Sequence, residues 1–310
     1  MDERIIPSLS TKRVLVTGAS GFIGLNLCQR LSNNGAEVHA VSRTSPALTL
    51  PSVRNWLADV SDFETLKRIY AETKPQIVFH LAGHVQGARN LEQVWPTVVG
   101  NFVTVVNLLR VATELGCERI VLTGSQDEPD PGESDATNFV PSSPYAASKY
   151  AGNAYARMFY ALYQTPVTFG RIFMAYGPGQ RDLKKLIPYT ILSLQRGETP
   201  KMSSGSRPLD WIYVDEVLDG LILISQAPEA VGQIVHLGTG VTYTARQAVE
   251  KIVELMGSPV TPVFGALQDR QMEAPRFANV AATEARIGWR PKVTFDQGLK
   301  STIDWYRQLM

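Results

Sequence analysis

Residues 13–24, Arg-Val-Leu-Val-Thr-Gly-Ala-Ser-Gly-Phe-Ile-Gly, constrain this chain more than any other stretch. Val14, Leu15 and Val16 form an apolar, mostly β-branched run that reads as a buried strand. Glycines three residues apart follow, and then a helical pattern from Phe22 to about Asn34, which Gly35 ends. A strand that turns on glycines straight into a helix lets backbone approach a pyrophosphate closely. The helix start adds unpaired N–H groups and the positive end of its dipole. The spacing is GxxGxxG rather than GxGxxG. A glycine-rich turn without a ligand is the competing reading, and the strand–loop–helix setting argues against it. Gly18, Ser20, Gly21, Phe22, Ile23 and Gly24 are therefore candidate dinucleotide contacts.

The pattern repeats through the first half. Strands are expected at 37–42, 54–58, 77–81, 119–123 and 166–172, and helices from Ser61 to about Thr73, over 93–115 and over 145–163. Pro144 suits the first turn of the last of these. Such alternation implies right-handed βαβ units and a parallel sheet covered on both faces. The second half is less regular. Residues 174–210 are rich in Gly, Pro, Ser and Arg, with one helix near 186–196. Helices are expected at 214–226, 244–256 and 294–308, and a strand at 233–237. The fold class is α/β: a Rossmann-type doubly wound parallel sheet over 1–171, and a smaller C-terminal α/β substrate domain over 172–310, with part of 211–240 returning to the sheet.

Lys plus Arg number 30 against 29 Asp plus Glu, a net charge of +1, so no overall field favours nucleic acid or an anionic membrane. No run approaches about 18 apolar residues, the length of a membrane span. The start, Met1-Asp2-Glu3-Arg4, has no apolar stretch behind it and does not read as a secretory signal, so a cytoplasmic location is expected. Cys28 and Cys117 make no disulfide framework, and the four histidines show no ligand spacing, so no metal is expected.

The end of the second strand bears on which dinucleotide binds. An NAD site usually places an acid there for the ribose 2′-OH. Here it reads Val41-Ser42-Arg43-Thr44, and Arg43 suits a 2′-phosphate instead. Asp59 and Val60, after the third strand, are placed to border the adenine. Tyr145-Ala146-Ala147-Ser148-Lys149 puts a phenol and an ammonium on one helix face. The lysine charge would favour a tyrosinate, which trades a proton with a carbonyl or alcohol. The spacing alone is weak, since Tyr70…Lys74 repeats it at a helix end read as surface. Tyr145 differs because it opens a helix after the fifth strand, with Ser125 just past that strand, where α/β sheets place ligands.

These motifs occur in a familiar order: TGASGFIG, HLAG (80–83), NFVTVVNLL (101–109), LTGS (122–125), YAASK (145–149), RIFMAYGPGQ (171–180), LDWIYVDEV (209–217), HLGTG (236–240) and GWRPKVTFDQGL (288–299). Over nearly its whole length the chain resembles the extended short-chain dehydrogenase/reductases of the nucleotide-sugar epimerase, dehydratase and reductase group. The resemblance implies that Tyr145 is the acid/base, that Ser125 bonds the substrate oxygen, that Lys149 holds the nicotinamide ribose, and that Asn101 supports the site. It implies that Leu81, Ala82 and Gly83 line the cofactor, and that Ile172 and Phe173 back the nicotinamide. Arg270 matches loosely an arginine that grips the nucleotide phosphates. Three departures stand out. Met174 replaces the usual Asn near the sugar diphosphate. The Arg-Asp-Trp motif reads Leu209-Asp210-Trp211, with Arg207 two residues earlier. Ser125 is followed by Gln126-Asp127-Glu128. Gln126, Met174, Arg207 and Arg270 are the candidate substrate contacts beside Ser125.

A 4,6-dehydratase needs an extra acid/base pair directly after the Ser/Thr. With Gln126 in first place that pair is displaced, and Asp127, Glu128, Asp130 and Glu133 read equally as a solvated acidic loop. The expected activity is NADP(H)-dependent reduction of a 4-keto-6-deoxy or similar nucleotide sugar, NAD(H) being the alternative cofactor. An epimerase or dehydratase is the alternative, and a non-catalytic dinucleotide sensor a remote one. Helix 145–163 carries aromatic residues on several sides, and so needs cover beyond the sheet. A two-fold homodimer through it and the 93–115 helix is expected, as the resemblance also implies.

Overall fold

The computed structural model describes residues 9–44, 49–50, 52–129, 140–269, 272 and 275–308. Strand β1 (Arg13–Thr17) leads into α1 (Phe22–Asn33), β2 (Glu37–Ser42), β3 (Val53–Leu57), α2 (Phe63–Thr73) and β4 (Ile77–His80). After a loop and a 3₁₀ turn, α3 (Val94–Thr97), a π-helical stretch at Val98–Val103 and α4 (Thr104–Leu115) run on without a break. Next come β5 (Arg119–Ser125), α5 (Pro144–Tyr163), β6 (Val167–Ile172), β7 (Met174–Tyr176) and α6 (Leu186–Gln195). Then follow β8 (Pro208–Tyr213), α7 (Val214–Gln226), β9 (Ile234–Leu237), β10 (Thr242–Thr244), α8 (Ala245–Met256), α9 (Val280–Ile287) and α10 (Phe295–Arg307).

Seven strands form one parallel sheet in the order β3-β2-β1-β4-β5-β6-β9. The chain moves outward from β1 to β3 and then returns to the other side with β4, so a crevice opens at the C-terminal ends of β1 and β4. Side chains alternate across this sheet as strand geometry requires. Val14, Val16, Phe79 and Val121 pack with Leu27 of α1 and Leu221 of α7. Leu15, Val78 and Ile120 face the other way, onto Leu66 of α2, Leu108 of α4 and Phe159 of α5. A small sheet, β10-β8-β7, carries a third core of Tyr176, Trp211, Ile191, Leu299 and Ile303 with α6 and α10. The strand expected at 233–237 pairs with β6 in the large sheet.

Several local expectations are corrected. The 93–115 segment is not one regular α-helix, because π-helical turns interrupt it at Val98–Val103. The cap of α2 is Asp62 rather than Ser61: its carboxylate accepts the Thr65 N–H at 2.7 Å. Tyr70 is not at the surface. It is 1% exposed, and its hydroxyl donates to the Gly116 carbonyl. Strands β7, β8 and β10 and helix α9 were not expected. Helical Leu91–Leu115 is long and apolar enough to cross a membrane by length and composition. In this fold Leu108, Leu109 and Val111 of that stretch are buried in the core.

Candidate active site

The crevice is made first by backbone. Gly18 turns off β1 with φ of +68°, and a Cβ there would stand 2.5 Å from Ala82 N and 2.6 Å from Leu81 O. A Cβ on Gly24 would stand 2.2 Å from the Gly18 carbonyl. No side chain fits either place, which brings strand end, loop and helix start together. Gly21 precedes α1 without a side-chain cap, so the first-turn N–H groups are left for an anion. Phe22 and Ile23 are half-buried, and Ser20 keeps part of its surface. Such a cradle fits a dinucleotide pyrophosphate.

Behind it lies a buried network. Thr17 Oγ1 bonds His80 Nδ1 at 2.8 Å and accepts the Ala82 N–H at 3.3 Å. His80 Nε2 reaches Thr104 Oγ1 at 3.3 Å. Burial, helped by the Lys149 charge, pulls the His80 pKa down to about 3, so this imidazole is neutral. It pins β1, β4 and α4 to one another. Arg43 and Thr44 are exposed just beyond β2. Asp59 is exposed and accepts the Ser61 N–H at 2.9 Å, while Val60 is buried. Asn107 of α4 holds that turn through the Val60 and Ser61 carbonyls.

The candidate reacting groups lie at the end of β5 and the start of α5. Ser143 caps α5 by accepting the Ala146 N–H at 3.1 Å, and Pro144 starts the helix. Tyr145 and Lys149 follow one turn apart on one face. The Tyr145 phenol is hydrogen-bonded to the Ser125 side chain. Lys149 Nζ donates to the Thr123 carbonyl at 2.9 Å. Both side chains are enclosed by protein yet keep part of their surface open in the crevice. Burial, then the Asp127 carboxylate, pushes the phenol pKa up, and the Ser125 bond opposes them. Burial pulls Lys149 down, opposed by Glu128. Burial thus works against the tyrosinate that the Tyr–Lys spacing suggests.

Asn101 sits in the π-helical stretch, a feature common at functional sites. Its Oδ1 accepts the His84 N–H at 2.7 Å, and its Nδ2 donates to the His84 carbonyl and, at 2.9 Å, to Ser148 Oγ. A Cβ on Gly83 would come 2.9 Å from Asn101 Oδ1 and 3.9 Å from Lys149 Nζ. Leu81, Ala82, Gly83, Asn101 and Lys149 thus meet.

On the other wall, Ile172 and Phe173 are buried at the end of β6, and half-buried Met174 pairs with Trp211 across β7 and β8. Gln126 is buried. Arg207 reaches Asp127 at 3.9 Å, which joins the small sheet's approach to the loop after β5. Arg270, Asp130 and Glu133 lie outside the described residues. The solvated-loop reading fails for Glu128, which is 1% exposed and accepts the Ser125 N–H. Thr17 and His80 were not singled out from sequence, and Glu128 was weighed only in a displaced acid pair or a solvated loop. HLAG marks His80 only as part of a motif, and nothing local marks Glu128.

The model of the NAD dependent epimerase/dehydratase family matches residues 14–238. The UDP-glucose 4-epimerase of Mycolicibacterium smegmatis is 32% identical over 311 residues, covering 95% of this chain and 98% of that protein. The solved structure of an epimerase from Methanothermobacter thermautotrophicus has a TM-score of 0.86 at 26% identity, over 96% of this chain and 93% of that one. A dTDP-glucose 4,6-dehydratase from Streptomyces venezuelae, solved with NAD, has a TM-score of 0.84 at 26% identity, over 96% and 97%. With its fold, its glycine cradle and its motif order in agreement with these likenesses, the chain belongs to the NAD dependent epimerase/dehydratase family, within the extended short-chain dehydrogenases/reductases.

Proposed function

We propose that this enzyme epimerises a hydroxyl-bearing carbon of a nucleotide-activated sugar while holding its NAD(P) through each turnover. The observation that carries this reading is the acid inventory beside Ser125. Dehydration needs a further free acid/base pair. Gln126 occupies its first place, Asp127 is paired with Arg207, and both oxygens of Glu128 are engaged by Ser125 and Asn153. The likeness to epimerases and dehydratases supports retained hydride over the net reductase expected from the sequence.

When bound, the nicotinamide supplies a hydride acceptor and donor. Gly18, Gly21, Gly24 and the start of α1 would hold the pyrophosphate, and Ile172 and Phe173 would wall the ring. Tyr145 moves a proton to and from the sugar hydroxyl at its phenol oxygen, and Ser125 orients that hydroxyl. The Lys149 ammonium favours the phenolate during transfer. Arg43, with no acid beside it, supports NADP over NAD, although relatives solved with NAD keep both in play.

The test is stoichiometric. Purified protein is given UDP-glucose, or dTDP-glucose, and followed by NMR and nicotinamide absorbance together. Epimerised sugar at constant absorbance is expected. Given a 4-keto-6-deoxy nucleotide sugar instead, consumption of one NADPH per sugar reinstates the reductase, and a 4-keto-6-deoxy product from dTDP-glucose assigns a dehydratase.

A further inference from the structure

Glu128 follows Ser125 by three residues and is almost wholly buried. Its Oε1 accepts the Ser125 N–H at 2.5 Å, and its Oε2 accepts from Asn153 Nδ2 at 3.2 Å. A Cβ on Gly124 would stand 3.0 Å from Oε1, so the carboxyl is wedged against the end of β5. Asn153 lies one helical turn beyond Lys149 on α5. One side chain therefore ties the strand bearing Ser125 to the helix bearing Tyr145 and Lys149. We propose that Glu128 is a positioning residue for these three: it fixes the Ser125 backbone against α5 and brings a carboxylate to the side of the site that holds the phenol and the ammonium. The inference rests on the reading of Tyr145 and Lys149 as the proton-transferring pair.

The charge acts on both partners in a consistent sense. A buried carboxylate disfavours a phenolate and favours an ammonium: on Tyr145 it adds to burial and to Asp127, both of which act more strongly, and on Lys149 it opposes burial. Among the described residues, the other charged groups facing the pair are few. Asp127, on the same loop, is bound to Arg207 from the approach to β8. His80 of β4 is neutral through burial. The Arg171 guanidinium of β6 donates to the Pro129 carbonyl at 2.8 Å. Asp127 and Arg207 have side chains 29% and 28% exposed, so salt screens them. Glu128 is sheltered from that screening.

Glu128→Gln keeps an acceptor for the Ser125 N–H and removes the charge, whereas Glu128→Asp keeps the charge and shortens the reach. Protein labelled with [¹³Cζ]tyrosine is titrated at high salt, and the Tyr145 resonance is assigned by its loss in Tyr145→Phe. The onset of Tyr145 ionisation should fall in Glu128→Gln and stay near wild type in Glu128→Asp. In the wild type the Ser125 amide proton should resonate well downfield of ordinary amides and exchange slowly, as a short charge-assisted bond requires. An unchanged onset in Glu128→Gln overturns the inference. So does an ordinary, freely exchanging Ser125 amide in the wild type, a result that stands even if the Gln variant does not fold. Full turnover in Tyr145→Phe would instead remove the functional reading of the pair, and needs no Glu128 variant.

Discussion

Asp210→Asn should cut deeply into stability, and the structure says by how much. Asp210 is fully buried on β8. Its Oδ1 accepts the Thr239 N–H and the Thr239 hydroxyl, each at 2.7 Å. Its Oδ2 accepts the Gly240 N–H at 2.9 Å and the Ala278 N–H at 2.8 Å. An asparagine still serves one of these pairs through its carbonyl, but its amide then points N–H at N–H toward the other. Hydrogen bonds to a charged group contribute about 1.5–3 kcal/mol each, so losing two costs about 3–6 kcal/mol before relaxation. Against a typical total of about 5–15 kcal/mol this is severe. At roughly 2–4 °C per kcal/mol for a chain of this size class, the melting midpoint should drop by about 10 °C or more. Urea unfolding followed by tryptophan fluorescence measures it. Asp215→Asn is the control. It breaks a carboxylate contact to Arg30 at 2.7 Å, but those side chains are 48% and 28% exposed, and such pairs contribute about 0–1 kcal/mol. A loss at Asp210 no larger than the control's would refute the argument.

Tyr145→Phe should lower kcat by at least about 10²-fold with dinucleotide affinity little changed in fluorescence titration, whereas Lys149→Ala should damage both; near-wild-type turnover in Tyr145→Phe would remove the assignment. Arg43→Ala should weaken NADP(H) by roughly 10- to 150-fold, the equivalent of about 1.5–3 kcal/mol, and leave NAD(H) unchanged; equal wild-type affinity for the two takes Arg43 out of the argument. His80 has a folded pKa of about 3 against an ordinary 6.5, so its contribution is intact above pH 6.5 and is lost as pH falls toward 3. The loss approaches about 1.4 kcal/mol per pH unit, and urea titrations between about pH 6 and 4 should show a flatter decline in His80→Gln; parallel slopes count against it. A two-fold homodimer is expected, since Trp95, Tyr155, Leu162 and Tyr163 leave apolar surface open on α3 and α5, and light scattering that gives a monomer mass at micromolar concentration would refute it.

The cofactor side was legible because its constraints act on backbone. A turn that admits no Cβ at Gly18 or Gly24 can be written only with glycine, and strand and helix periods frame it. What escaped has physical reasons. Five of the six residues of β8 are buried, so no alternation marks it as a strand. β7 and β10 are three residues each, too short to show a period. The π-helical turns at Val98–Val103 follow from the bonds Asn101 makes to His84 and Ser148, partners 17 and 47 residues away. Glu128 looked solvated among neighbouring acids, and its burial depends on Asn153, 25 residues further on. Tyr70 looked like a helix-end surface residue, but its hydroxyl bonds the turn after α4.

This division of labour also explains why likeness names the family more readily than the reaction. In the proposed function, the cradle at Gly18, Gly21 and Gly24, the neutral His80 network and the Tyr145–Lys149 pair would serve any hydride transfer between a dinucleotide and a carbinol carbon. They do not distinguish inversion from dehydration or net reduction. The distinction lies in side chains on the facing wall: Gln126 and Asp127 beside Ser125, Met174 at the start of β7, and Arg207 on the approach to β8. Those positions belong to loops and short strands, where a substitution changes what meets the sugar without disturbing the sheet. A carboxylate at position 126 would restore an adjacent acid pair with Asp127 and bring dehydration chemistry within reach of the same Tyr145. On the proposed function the reaction type turns on these four side chains, and the cradle that identifies the family is silent about them.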